Sequence, residues 1–350
     1  MYKSLIKPIL FRFNPEVVHD FVVALGEFAG RFAITRFLAR LIYGYRGPDI
    51  SKVVDGIKYK TPIILSAGFD YNGELTQILP MMSFGGEEVG SVTAKACVGN
   101  VGEHLTRLKH SKSILVNKGL KNDGVEVIIS RLKNTPRIRG FVIGVSVART
   151  NDKDSASVDA GIADYEFTLR KLVENDVGDY YTINISCPNA FGGEAFTDPD
   201  LLVKLFNVLD KIKRTKPLYV KMPISISDEK FLEVLAVLDH YSVQGVVIGN
   251  LQKDYSKIDA RDNSPRNFKG GLSGRPCFER SNELIALTKK KYKNRFTIIG
   301  SGGIFSYADA REKMNLGADL VQLITGMIYE GPGLIKNICR CSSVGRASLS

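Results

Sequence analysis

Apolar positions in the first 46 residues recur every three to four residues. Asn14, Pro15 and Glu16 have the form of a helix start: a capping amide, a proline at the first helical position and an acid in the first turn. Val17, Val18, Phe21, Val22, Leu25 and Phe28 follow at helical spacing until Gly30 ends the run. Phe32, Ile34, Phe37, Leu38, Leu41 and Ile42 predict a second helix, with Arg31, Arg36 and Arg40 between them. Residues 1–46 therefore form a basic, amphipathic helical hairpin. Two readings of it stay open: a cap whose apolar stripe faces the main domain, or an element lying on a membrane surface. Residues 44–51, GYRGPDIS, are the linker.

Beyond the linker the period changes. Val53 and Val54, the turn pair Asp55-Gly56, and Ile57 to Tyr59 predict a short β-hairpin. Apolar β-type runs then lie at 63–65, 87–92, 141–147, 181–185, 218–221, 245–248, 297–300 and 320–323. Segments 123–132, 164–174, 198–212, 228–238, 280–292 and 307–314 carry apolar residues three and four apart, as crossover helices do. Eight βα units predict a single α/β domain, a (β/α)8 TIM barrel over residues 47–338. The last stretch, RCSSVGRASLS, has no apolar period, and residues 339–350 are expected to be a frayed tail.

Composition narrows the function classes. With 350 residues, 44% of them hydrophobic, the chain buries a substantial core. A net charge of +11 suits an anionic ligand or surface, but Trp is absent and no aromatic and basic residues interleave, so no nucleic-acid partner is expected. Cys97, Cys187, Cys277, Cys339 and Cys341 are odd in number, with neither a C-x-x-C pair nor a His cluster. A cytoplasmic setting and no metal site are expected. No run of 18 or more apolar residues and no cleavable leader is visible, which predicts neither a spanning helix nor export.

In such barrels ligands sit at the C-terminal ends of the strands, so position becomes evidence. Gly302-Gly303 after the seventh run and Thr325-Gly326 after the eighth stand where barrels build a phosphate site from free backbone N-H groups. Lys221 closes the fifth run and directs a cation into the barrel mouth, and Lys95 follows the second. Asn184, Asn189 and Asn250 offer donor and acceptor together, which suits a planar ligand rich in carbonyl and N-H groups. Cys187 lies past a strand end before a proline, a setting for a reactive thiol; with an ordinary pKa of roughly 8.5, a thiol acts as a base where cations hold its thiolate.

Taken together, SAGFDYNGE (66–74), GSVTAK (90–95), NKGLKN (117–122), NISCPN (184–189), VKMP (220–223), GGLSGRP (270–276), IIGSGGI (298–304) and LVQLITG (320–326) give the chain a pattern that resembles the dihydroorotate dehydrogenase family over nearly its whole length. The resemblance implies a flavin enzyme of pyrimidine synthesis with bound FMN. It implies ring contacts from Ser66, Ala67, Gly68, Ser91, Ser146, Asn184 and Lys221, and a ribityl and phosphate grip from Gly249, Gly274, Gly302, Gly303, Ile324 and Thr325. Asn117, Gly119, Leu120, Asn184, Asn189 and Asn250 form the implied orotate cradle. Cys187 falls on the base that removes the C5 proton of dihydroorotate while hydride leaves C6.

Two departures matter. The hairpin is similar to the membrane-associated, quinone-using class, whose base is normally serine, whereas Cys187 is the base type of the soluble class that uses fumarate or NAD. Tyr71 stands where the membrane-associated class has a lysine, and Lys95 is the candidate to replace that cation. The expectation is a quinone-dependent enzyme peripheral to the cytoplasmic membrane. The alternatives are the same reaction with a soluble acceptor, or a flavoprotein similar to tRNA dihydrouridine synthases.

Overall fold

The computed structural model describes residues 2–186, 195–262 and 270–347. A π-helical turn, Tyr2–Ile6, leads into α1 (Lys7–Leu10), and the hairpin follows as α2 (Pro15–Arg31) and α3 (Ala33–Tyr43). The Asn14 side chain caps α2, accepting hydrogen bonds from the N-H groups of Glu16 (2.8 Å) and Val17 (3.3 Å). Strands β1 (Lys52–Val54) and β2 (Ile57–Tyr59) pair antiparallel, as the Asp55-Gly56 turn predicts.

The barrel strands are β3 (Ile63–Leu65), β4 (Gly86–Val92), β7 (Val142–Val147), β8 (Tyr180–Asn184), β9 (Leu218–Met222), β10 (Gly245–Ile248), β12 (Thr297–Ser301) and β13 (Leu320–Leu323). They close in the order β3-β4-β7-β8-β9-β10-β12-β13, every pairing parallel. Each coincides with a run read from the sequence, because strands buried on both faces must be apolar throughout. Outside them lie α4 (Val125–Asn134), α5 (Val158–Glu174), α6 (Pro199–Leu209), α7 (Asp228–Leu238), α8 (Phe278–Tyr292) and α9 (Tyr307–Asn315), then α10 (Thr325–Glu330) and α11 (Gly333–Ala347). The sequence reading missed β5 (Leu105–Leu108), β6 (Ser113–Val116) and β11 (Gly271–Leu272), a three-stranded antiparallel sheet outside the barrel. Helix α11 runs across the boundary expected at residue 339, and Cys339 is fully buried.

Alternation along the strands sorts the barrel interior into layers. At the N-terminal end Ile64, Val142, Tyr180, Tyr219, Val247, Ile299 and Leu320 pack with Val54 and Tyr59 of the β-hairpin, which plugs this end. The Tyr219 hydroxyl donates to Asp55 at 2.6 Å. Two residues further along β4, β8 and β13 the layer turns polar: the Glu88 carboxylate accepts from Thr182 (2.9 Å) and Gln322 (3.0 Å). One more step brings Asn184 and Lys221 to the C-terminal mouth, paired across β8 and β9.

The hairpin packs by its small residues. A Cβ on Gly26 would stand 2.6 Å from Leu75 Cδ2, and one on Gly30 would stand 2.8 Å from Gln77 Cβ, so these glycines let α2 lie directly on the loop after β3. The apolar stripe turns the other way. Val17, Phe21, Leu25, Phe28, Ile34, Phe37, Leu38, Leu41 and Ile42 are all exposed. A cap whose stripe faces the domain is therefore not what forms: the stripe read from the sequence is real, but it points away from the barrel. No helix among the described residues is long and apolar enough to cross a membrane.

Candidate active site

A cavity opens at the C-terminal mouth of the barrel, beneath the β5-β6-β11 sheet. Of the residues singled out from the sequence, it gathers Ser66, Ala67, Gly68, Ser91, Gly119, Leu120, Asn184, Lys221, Gly249, Asn250, Gly274, Gly302, Gly303, Ile324 and Thr325. Cys187 and Asn189 lie outside the described residues.

The loop after β3 is held rigidly. Asp70 accepts backbone N-H groups from Gly73 (2.8 Å), Glu74 (2.9 Å) and Leu75 (2.7 Å), fixing the segment that presents Ser66 to Phe69. Lys221 is buried, its ammonium 3.4 Å from the Ser66 hydroxyl. Asn184 donates to Ser91 at 2.9 Å and accepts from the Ser186 N-H and hydroxyl at 3.2 and 3.1 Å. Asn250 reaches the same serine, its amide donating to the Ser186 carbonyl and hydroxyl, each at 2.6 Å. Ser186, which the sequence reading did not select, thus links the two cradle amides and fixes the chain one residue before Cys187.

The glycines on the opposite side leave the backbone bare. Gly302 and Gly303 have φ of +93° and +75°, and a Cβ on Gly303 would lie 2.5 Å from that of Phe278. Gly274 has φ of +77°, and a Cβ there would stand 2.3 Å from the Lys112 carbonyl oxygen. Thr325 shares a 2.9 Å hydrogen bond with Ser273, another residue the sequence reading passed over. The Cys277 thiol reaches the cavity wall but donates to the Leu272 carbonyl at 3.1 Å, and burial pushes its pKa up to about 12. It stays protonated and unreactive.

Three expected residues do not line the cavity. Ser146 is fully buried between strands, and its hydroxyl shares a 2.8 Å hydrogen bond with Ser91, so it supports a lining residue from behind. Asn117 is tied to Asn100, accepting from its amide at 2.8 Å. Lys95 is 63% exposed and leans toward Asp152 (3.7 Å) and Asp154 (4.0 Å), because a long side chain on a loop follows the local acids.

The cation beside Tyr71 is instead Lys118. It is buried, lines the cavity, and holds its ammonium 5.3 Å from the Tyr71 ring centroid. Glu16, in the first turn of α2, accepts from Lys118 at 2.5 Å and contacts His104 Nδ1 at 2.8 Å. His19 packs its ring 4.9 Å from Tyr71, with Nε2 2.8 Å from the Phe69 carbonyl oxygen. One hairpin residue, His19, thus enters the cavity wall, and Glu16 holds the lining Lys118 from behind, which strand-end positions alone did not reveal.

This ion cluster gives a pH-dependent link between hairpin and barrel. Partial burial raises the Glu16 pKa, but hydrogen bonds and charge from Lys118 and His104 outweigh it and bring the value down to about 2. The folded value lies below the unfolded one, so the stabilisation is fully present above about pH 4.5 and is lost as pH falls toward 2. Glu16→Gln should weaken hairpin docking by about 1–3 kcal/mol. Hydrogen exchange of the α2 amides is expected to be faster in the variant at neutral pH and to converge with wild type in acid. Equal exchange at neutral pH would discard the link.

The fold and the cavity define a (β/α)8-barrel protein whose site lies at the C-terminal strand ends. A family model described as dihydroorotate dehydrogenase matches residues 50–341, and the chain belongs to that family. It is 36% identical over 344 residues to a dihydroorotate dehydrogenase (quinone) of Christiangramia forsetii, covering 97% of each chain. It is 34% identical over 346 residues to one of Proteus mirabilis, covering 97% of this chain and 99% of that one. The crystal structure of DHODH in complex with ferulenol from Eimeria tenella superposes with a TM-score of 0.82 at 24% identity, covering 97% of this chain and 95% of that chain, a likeness of fold.

Proposed function

We infer that the protein oxidises dihydroorotate to orotate with a flavin cofactor and passes the electrons to a quinone. The observation that carries this reading is the full-length similarity, hairpin included, to relatives named as quinone enzymes. The reading with fumarate or NAD as acceptor rests on Cys187 alone, and the RNA-modifying reading finds no counterpart among these relatives.

FMN suits the residues present. Gly302, Gly303 and Gly274, where any Cβ would collide with the protein packed against them, leave bare backbone at the cavity wall as a cradle, with the hydroxyls of Thr325 and Ser273 beside it. When bound, FMN would supply the hydride acceptor and the electron donor to the quinone. Lys221 offers fixed positive charge in a water-poor mouth, where it acts more strongly than in solvent. Asn184 and Asn250, tied through Ser186, would orient the planar substrate, with Gly119 and Leu120 closing over it. Cys187, one residue past that tie, takes the C5 proton. Lys118 would provide the cation that a lysine at position 71 provides in the membrane-associated class.

The outward apolar stripe of α2 and α3, flanked by Arg31, Arg36 and Arg40, supports peripheral membrane binding, where a quinone would reach the cavity past His19 and Tyr71. The boundaries 1–46 and 47–338 then separate an access element from the catalytic barrel. To test the reading, dihydroorotate is added anaerobically to the flavin-loaded protein. Bleaching of the flavin absorbance with release of orotate is expected; a flavin spectrum unchanged by either dihydroorotate or orotate would refute it.

A further inference from the structure

Behind the glycine loop after β12 lies a lysine that the chemistry above does not use. Lys313, on α9, has no exposed surface. Its ammonium donates to the Ser281 hydroxyl and, at 2.8 Å, to the Asn282 amide oxygen, and it lies 5.0 Å from the Phe278 ring centroid. Among the described residues it forms no ion pair with a carboxylate: Glu312 is reached only through Asn282, which donates to it at 2.8 Å, and Asp309 is engaged with Arg275 at 3.1 Å. Burial lowers the Lys313 pKa, the carboxylates of Glu312 and Asp309 act to raise it, Arg275 lowers it further, and the result is about 7, with the protonated Cys277 thiol beside it carrying no charge.

Geometry connects this cation to the loop. A Cβ on Gly302 would stand 2.9 Å from Cys277 Cβ and 3.5 Å from Ser281 Oγ, so the hydroxyl that accepts from Lys313, and itself donates to the Phe278 carbonyl at 3.1 Å, lies next to the Gly302 backbone without a hydrogen bond to it. On the far side of that backbone is the cavity. A buried ammonium is costly unless an anion accompanies it, and this one lies behind the loop whose cradle suits a phosphate, with Ser281 between them.

We propose that Lys313 is a positioning residue for the flavin phosphate: acting through Ser281, its ammonium charges the Gly302-Gly303 loop, and binding of the dianion is coupled to protonation of Lys313. The proposal rests on the flavin reading above and specifies how that site selects a phosphorylated ligand. The proton comes from solvent, the amine becomes an ammonium, and no bond to phosphorus changes. The sign follows: near pH 6 the lysine is already charged and little proton is taken up. Above about pH 8 the unliganded amine is largely neutral, so uptake rises and affinity falls as pH increases.

The test uses the full chain stripped of flavin, titrated with FMN and with riboflavin by fluorescence and by calorimetry in buffers of different ionisation enthalpy. FMN affinity is expected to fall roughly 10-fold or more between about pH 7 and 9 with proton uptake, while riboflavin affinity stays flat. Lys313→Met should weaken FMN by about 10- to 100-fold, abolish the uptake and spare riboflavin. Ser281→Ala, which keeps the lysine, should lose part of the preference for FMN, and it carries the test should the first variant fail to fold. Absence of proton uptake by the wild type in that range, or equal loss of FMN and riboflavin in Ser281→Ala, would overturn the proposal. If FMN and riboflavin bind equally while dihydroorotate is still oxidised, only this proposal falls. Binding of neither overturns it together with the flavin reading.

Discussion

Replacing Cys187 with alanine should reduce dihydroorotate turnover at neutral pH by about 10²- to 10⁴-fold, the usual contribution of a positioned base, without loss of flavin binding. The structural reason lies one residue earlier. Ser186, the residue before Cys187 in sequence, is buried and held by both Asn184 and Asn250. The glycine cradle lies in the loops after β12 and before α8, which explains why flavin retention should survive. Cys187→Ser is the informative companion. Serine is a weaker acid than a thiol, so its activity should be partial and its pH profile displaced upward. Steady-state kinetics across pH for the three proteins checks this, and near-normal turnover in Cys187→Ala would remove the residue from the mechanism.

The second large effect concerns the hairpin. Phe21, Phe28 and Phe37 are 59%, 57% and 61% exposed, so replacing all three with aspartate removes outward apolar surface without touching the glycine contacts of α2. Burying the exposed part of each ring in a lipid interface is worth about 1 to 1.5 kcal/mol, so the triple change should lower partitioning into anionic vesicles on the order of 10²- to 10³-fold. Turnover with a quinone embedded in those vesicles should fall with it, while reduction of the flavin by dihydroorotate stays unchanged. Cosedimentation measures the first and stopped-flow absorbance the last. Vesicle binding equal to wild type would show that the stripe serves something other than a lipid surface.

How much of this was legible differs between scaffold and site. The eight barrel strands were visible because both faces of each are buried, leaving unbroken apolar runs. The β5-β6-β11 sheet was not: β6 pairs with β11 across more than 150 residues of sequence, and its strands are short and broken by the polar turn at 109–112. Strand-end residues such as Asn184, Lys221 and Gly249 do line the cavity, because position after a strand is a strong constraint. Lys95 shows where that rule stops, since a strand end places a Cα and not the tip of a long side chain. Lys118, His19 and Ser186 escaped because their roles depend on partners far away in sequence: Glu16 for Lys118, Tyr71 for His19 and Asn250 for Ser186.

This chain joins dihydroorotate oxidation to quinone reduction despite a thiol at the position of the base. Initial rates of orotate formation by one flavin-loaded preparation, with a quinone, fumarate and NAD as acceptors side by side, decide the acceptor. Sustained turnover is expected with the quinone and negligible rates with the other two; turnover with fumarate or NAD and none with the quinone would rule out the quinone as acceptor.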